Sequence, residues 1–215
     1  MKTGSCYIVG AGDFDTMPDN FKEEDMVIAV DGGFAHLMDK RVDLLIGDFD
    51  SLSFVPKHPN IIRLPSEKDD TDMLSAVMEG LDSGYREFHI YGGTGGRFSH
   101  TIANVQCLVY LAERGAHGFL YGKNEITTAI KNESFCFSDK MRGYVSVFAY
   151  TKEAKGVWIK GLKYRLSDAL LLNTLPLGVS NEFIKKPAEI SVEEGILLII
   201  YPRIMEEGEE QPYSR

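Results

Sequence analysis

Residues 88–97, FHIYGGTGGR, join a short apolar run to a glycine-rich loop that ends in an arginine. Upstream, a similar layout recurs three times. Residues 26–30 lead into Asp31-Gly32-Gly33, residues 44–46 into Gly47-Asp48-Phe49-Asp50-Ser51, and residues 61–64 toward Lys68-Asp69-Asp70-Thr71-Asp72. Short apolar runs bounded by Gly and Asp read as buried parallel strands. In an open α/β sheet the loops at the carboxyl ends of such strands converge on one crevice, where ligands bind. The chain therefore gathers carboxylates, a glycine-rich loop and an arginine at one rim. Carboxylates alone repel a phosphate, whereas a divalent cation between them holds one. The pattern points to metal-dependent nucleotide chemistry.

The 215 residues are 44% hydrophobic and 26% charged, ordinary values for a globular protein. A net charge of −9 and the lack of any Lys/Arg block argue against a nucleic-acid partner and suit a cationic small substrate. Cys6, Cys107 and Cys136 are scattered and odd in number, so neither a disulfide framework nor a zinc site follows, and a reducing compartment fits best. Residues 1–5 run straight into a strand without the apolar core of a signal peptide, and the longest apolar stretch, 196–201, is too short to span a bilayer. The expectation is a cytoplasmic protein with no membrane partner.

From residue 5 to about 122 strands and helices alternate. After a first strand at 6–9 comes a Gly10-Ala11-Gly12-Asp13 turn, and residues 33–40 suit a short helix. Over 72–81, Leu74, Val77, Met78 and Leu81 make one apolar helix face, capped by Thr71, Asp70 or Asp69. A second helix over 99–114 turns Ile102, Val105, Val109 and Ala112 inward and ends at Gly115. Beyond residue 123 the helical period vanishes. Short strand-like pieces at 126–130, 135–137, 144–150, 157–160, 169–173, 189–192 and 196–201 alternate with Gly, Asn, Asp and Ser turns. The expected fold class is α/β: an open parallel-sheet nucleotide-binding domain over 1–125, then an all-β sandwich or barrel over 126–215. The acidic tail from 206 reads as frayed.

Asp48 and Asp50 stand two apart on an extended segment, a spacing that suits support of Mg²⁺ or a solvated turn. Asp72 falls in the first turn of a helix, as a third metal-site carboxylate or a partner of the helix dipole. Four glycines in 92–96 let a backbone approach an anion, and Arg97 supplies a fork that matches phosphate. Arg97, His100 and Asn104 share one helical stripe. No Gly-Lys-Ser/Thr ends the loop, so it is not a Walker A sequence. Gly10-Ala11-Gly12 is balanced between a tight turn and a nucleotide role, since Asp15 stands where a dinucleotide fingerprint needs its last glycine. Asp31 and Gly32 belong to the row of strand ends. Gly178-Val179-Ser180-Asn181 reads as a plain turn.

Taken in order, DGG, GDFDS, KDDTD and GGTGGR, followed by GLKY and GVSNE, resemble the thiamine pyrophosphokinase family over roughly residues 7–201. That resemblance implies an α/β nucleotide-binding domain, a C-terminal β domain and a homodimer with sites between subunits. It implies transfer of pyrophosphate from ATP to the thiamine hydroxyl, releasing AMP, with Mg²⁺ required. Carried over by position, Asp48, Asp50 and Asp72 would hold Mg²⁺ and the triphosphate. Asp31, Gly32, Thr94, Gly95, Gly96, Arg97 and His100 would lie along the phosphates, and Ser180 and Asn181 would line the thiamine pocket. The family usually reads Gly-Arg-x-Asp-His where this chain has Gly96-Arg97-Phe98-Ser99-His100, so one carboxylate is replaced by a serine able to cap the helix. Two other readings stay open: pyrophosphoryl transfer to another alcohol such as a hydroxymethylpterin, and a nucleotide- or thiamine-sensing module without turnover.

Overall fold

The computed structural model describes residues 2–49, 58–65, 70–203 and 213–214. It is a mixed, sheet-rich fold with two α-helices among the described residues, and the chain divides into two compact units, Met1–Lys123 and Asn124–Arg215. No helix there is long and apolar enough to cross a membrane.

In the first unit the apolar runs become strands β1 (Cys6–Val9), β2 (Met26–Val30), β3 (Leu44–Gly47), β4 (Ile61–Arg63), β5 (Glu87–Tyr91) and β6 (His117–Tyr121). All their pairings are parallel, in the order β6-β5-β1-β2-β3-β4. Ile8, Ile28, Leu45, Phe88, Ile90 and Phe119 are almost wholly buried, as expected of strands covered on both faces. The order reverses at β1, whose neighbours are β2 on one side and β5 on the other. Such a reversal is where an open α/β sheet leaves a crevice.

Helix α1 (Asp72–Asp82) packs over β1, β2 and β3, and α2 (Phe98–Glu113) packs against α1 and β6. Val77, Val109 and Ala112 are buried as expected, but each face otherwise departs from the sequence expectation. α1 buries Met73, Ala76, Val77 and Gly80, while Met78 is exposed. The small pair Ala76 and Gly80 lets the helix approach the sheet closely: a Cβ on Gly80 would stand 2.5 Å from the Phe88 ring and 2.9 Å from Cys6 Sγ. α2 buries Asn104, Cys107, Leu108, Val109, Leu111 and Ala112, and leaves Ile102 exposed. Gly118 of β6 has no side chain, and Leu108 and Leu111 occupy that space.

The helix expected over 33–40 is instead a 3₁₀ helix over Asp31–Leu37, pulled in where Gly33 meets the Val9 carbonyl without room for a Cβ. Thr71 caps α1, its Oγ1 accepting from Leu74 N–H at 3.2 Å. Ser99 caps nothing: α2 begins at Phe98 with Arg97 as the flanking residue and no side-chain cap, so Ser99 already lies inside the first turn.

The second unit is antiparallel throughout. One sheet runs β12 (Gly178–Glu182), β9 (Tyr144–Ala149), β14 (Ile196–Pro202), β7 (Glu125–Lys131). The other runs β11 (Leu166–Leu172), β10 (Glu153–Lys160), β13 (Ala188–Ser191), β8 (Ser134–Phe137), β15 (Tyr213–Ser214). Phe135 and Phe137 of one sheet meet Tyr201 of the other at centroid distances of 5.8 and 5.1 Å, and Phe183 closes the cluster at 5.0 Å from Phe137. Residues 178–181, read as a turn, form an edge strand, and Tyr213–Ser214 of the tail pair with β8.

Because one helix start has a side-chain cap and the other does not, Thr71→Ala should cost about 1 kcal/mol of stability. Ser99→Ala should cost less than about 0.5 kcal/mol, the usual limit for surface changes. Denaturant unfolding of both variants checks this, and equal losses would contradict it.

Candidate active site

The loops after β1 and β5 are stitched together. Gly10 N–H donates to the Tyr91 carbonyl at 2.8 Å, Gly12 N–H to Gly92 at 2.8 Å and Asp13 N–H to Thr94 at 2.9 Å. Thr94 Oγ1 returns a bond to the Asp13 carbonyl at 3.3 Å. This contact demands glycine. A Cβ on Gly12 would collide with the Thr94 carbonyl, and one on Gly92 (φ +64°) with the Gly10 carbonyl. The turn after β1 is therefore half of a two-loop cradle, a role that only the strand order reveals.

Above this seam lies a cleft of about 420 Å³. The β1 loop, Asp31, the first turn of α1, the loop after β5 and the start of α2 line it. Of the residues expected at a site, Asp31, Asp72, Thr94, Gly96, Arg97 and His100 line this cleft, with Asn104 and Thr101 beside them. The start of α2 places a positive dipole end there. Gly32 and Gly95 are chain neighbours of lining residues without lining it themselves, and Asp48 is not among the lining residues. Gly95 (φ +83°) is turned toward Asp13, whose carboxylate would stand 2.6 Å from a Cβ there.

The carboxylate side is held by strain. Asp31 (φ +46°) and Phe49 (φ +62°) both occupy the left-handed region, which is rare for residues other than glycine and costs on the order of 1–3 kcal/mol each. Phe49 N–H approaches Asp31 Oδ1 at 3.4 Å, and the same oxygen fills the space where Gly47 would carry a Cβ. The Gly47-Asp48-Phe49 turn is thus wrapped around the Asp31 carboxylate, and half-buried Asp48 sits within it. Asp50, Lys68 and Asp69 fall outside the described residues. Among the described residues no three His, Cys, Asp or Glu side chains form a group that could hold a metal ion.

No cysteine is poised as a nucleophile. Burial pushes the Cys107 thiol up to about 11 and raises those of Cys6 and Cys136 as well, so all three stay protonated at neutral pH.

In the second unit Ser180 has φ +58° and an exposed side chain, and its N–H donates to Ser146 Oγ at 3.1 Å. Asn181 is buried. Its Oδ1 accepts from Tyr164 N–H and Glu182 N–H, both at 2.9 Å, and its Nδ2 donates to the Tyr164 carbonyl at 2.6 Å. Asn181 therefore staples the GLKY segment to β12, a role the sequence reading missed because Tyr164 lies 17 positions away.

Two family profiles match the chain: "Thiamin pyrophosphokinase, catalytic domain" over residues 17–120, and "Thiamin pyrophosphokinase, vitamin B1 binding domain" over residues 130–197. A thiamine pyrophosphokinase of Bacillus subtilis (strain 168) is 28% identical over 212 residues, spanning 93% of this chain and 98% of its own. The crystal structure of the thiamine pyrophosphokinase from Bacillus subtilis superposes with a TM-score of 0.82 at 25% identity, covering 94% of this chain and 100% of that one. The enzyme from Geobacillus thermodenitrificans gives 0.77 at 27% identity, covering 94% and 99%. With both halves matched in order and the whole fold shared, the chain belongs to the thiamine pyrophosphokinase family.

Proposed function

We propose that the protein is a thiamine pyrophosphokinase, transferring pyrophosphate from ATP to the thiamine hydroxyl and giving thiamine diphosphate and AMP. The observation that carries this reading is the cleft over the β1–β5 seam, where a glycine cradle, a helix N-terminus and Arg97 face Asp31 and Asp72. The unit over 1–123 is the ATP-binding half, and the β-rich unit supplies the thiamine pocket through Ser180 and the segment held by Asn181.

Thr94, Gly95 and Gly96 offer backbone to the triphosphate, Arg97 and His100 offer positive or donor groups, and Asp31 and Gly32 close the opposite side. The acids of the rim present only carboxylate oxygens, the hard donors that Mg²⁺ takes. Asp48, Asp50 and Asp72 would hold it, with Asp31 adjoining. There the ion would supply charge neutralisation to phosphate oxygens. The thiamine oxygen attacks the β-phosphorus in line, a bond forms there as the bond to the α-phosphate oxygen breaks, and AMP leaves. Such transfers have loose transition states, so positioning and charge neutralisation carry most of the rate. Arg97 neutralises charge that develops on the transferred group. One carboxylate, Asp72 or Asp50, takes the hydroxyl proton.

The molecule acts as a cytoplasmic homodimer, with Ser180 and Asn181 supplied across the interface. In support, the second unit exposes Leu170, Leu175, Leu177 and Val179 on and between its edge strands β11 and β12. An exposed apolar surface of this kind marks association.

Incubation with ATP, Mg²⁺ and thiamine should yield thiamine diphosphate and AMP in equal amounts. ADP would identify an ordinary kinase, transfer only to a hydroxymethylpterin would change the acceptor, and tight binding without AMP over hours would identify a sensor. Asp48→Asn should lower kcat by at least about 10²-fold, the scale for losing a key electrostatic group; full turnover would remove Asp48 from the site. Gly47→Ala places a methyl on the Asp31 carboxylate oxygen and should reduce kcat/KM by about 10²-fold through misplacement. Unchanged kinetics in a folded Gly47→Ala protein would show that Asp31 is not held where the reaction needs it.

A further inference from the structure

Three successive carbonyls of the glycine-rich loop are each held by a different donor. Gly12 N–H takes Gly92 at 2.8 Å, Asn104 Nδ2 takes Gly93 at 2.7 Å, and Asp13 N–H takes Thr94 at 2.9 Å. Two of these donors are main chain; Asn104 is the one side chain. It stands in the second turn of α2, is buried, and is the only one of the six buried polar side chains among the described residues that lines the cleft. An asparagine there is otherwise unfavourable, since its amide loses water and its helix propensity is poor. The one hydrogen bond given to this buried amide runs to the Gly93 carbonyl.

The consequence lies in the peptide plane. Because a peptide is planar and trans, holding the Gly93 carbonyl fixes the Thr94 N–H on the opposite side. The plane lies between Gly93, which has no side chain to restrict it, and Thr94, whose own carbonyl and hydroxyl are tied to Asp13. Without the Asn104 bond the stretch between the two main-chain stitches, which leads into Gly96 and Arg97, loses the restraint at its middle.

We infer that Asn104 is a positioning residue for ATP: it sets the shape of the 92–97 loop and thereby the geometry in which the triphosphate is held. This rests on the nucleotide reading of the cleft. The residue acts through the loop, and its loss should be felt by ATP and by turnover, not by thiamine binding.

The test compares wild type, Asn104→Leu and Asn104→Asp. Leucine leaves the Gly93 carbonyl without its donor, and aspartate opposes it with a second acceptor. Binding of a non-hydrolysable ATP analogue with Mg²⁺ is measured by calorimetry, alongside kcat, the KM for thiamine and the unfolding temperature. Both variants should lose about 10²-fold in kcat/KM for ATP, the scale of a misplaced reacting group. The KM for thiamine should hold, and Asn104→Leu should keep its unfolding temperature. The loss should also be non-additive with Arg97→Ala, because both residues serve one loop. If Asn104→Leu does not fold, Asn104→Asp carries the same comparison. Variants that match a wild type able to bind the analogue overturn this inference alone, as does a loss that multiplies in full with Arg97→Ala. A wild type that binds no analogue overturns the functional reading beneath it.

Discussion

The seam between the β1 and β5 loops is the constraint on which the rest of the first unit depends. At that point the strand order reverses, so two chain segments that leave the sheet side by side turn away from one another. They remain joined by main-chain hydrogen bonds so close that glycine is required at Gly12 and Gly92. A backbone held this tightly, with no side chains over it, is the surface an anion can approach. The helix that follows begins at that surface, so its dipole needs no extra residue to be useful.

In the proposed complex, a chain of net charge −9 must separate its own carboxylates from the phosphates or bridge them. The structure does the first by placing the glycine loop and Arg97 on one side of the cleft and Asp31 and Asp72 on the other strands and helix. The second is the role proposed for Mg²⁺. The acidic side is built with backbone strain: Asp31 and Phe49 hold left-handed conformations so that the Gly47-Asp48-Phe49 turn closes over one carboxylate oxygen. Strain of this kind persists where surrounding structure over-determines it, and it concentrates at functional sites. Strand β3, which ends at Gly47, anchors the start of that turn.

The strands were legible because buried parallel strands leave unbroken apolar runs, and Gly or Asp marks where each ends. The helices were legible in extent and partly in phase: Val77, Val109 and Ala112 are buried as expected, whereas Met78 and Ile102 are exposed. Large residues suggested faces through Leu74–Met78 and Ile102–Val105, whereas small residues decide how near a helix can come to a sheet. Ala76 and Gly80 mark the contact in α1, and in α2 the contact follows Gly118 on the strand below it. The Gly10-Ala11-Gly12 turn stayed ambiguous because its partner lies some eighty positions away. The strand at 178–182 was missed because an edge strand with mostly half-exposed residues shows no apolar run. Asn181 entered as a pocket residue only through the family resemblance; its three hydrogen bonds to the GLKY segment and β12 belong to tertiary structure that no local pattern encodes.

The proposed function requires a triphosphate to lie across the β1–β5 seam between the glycine loop and the carboxylates. A crystal structure with a non-hydrolysable ATP analogue and Mg²⁺ addresses it directly. The phosphates should lie over residues 92–97 and the cation on the Asp31, Asp48 and Asp72 side. Phosphates bound at the opposite edge of the sheet, near Arg41 and Tyr85, would contradict it.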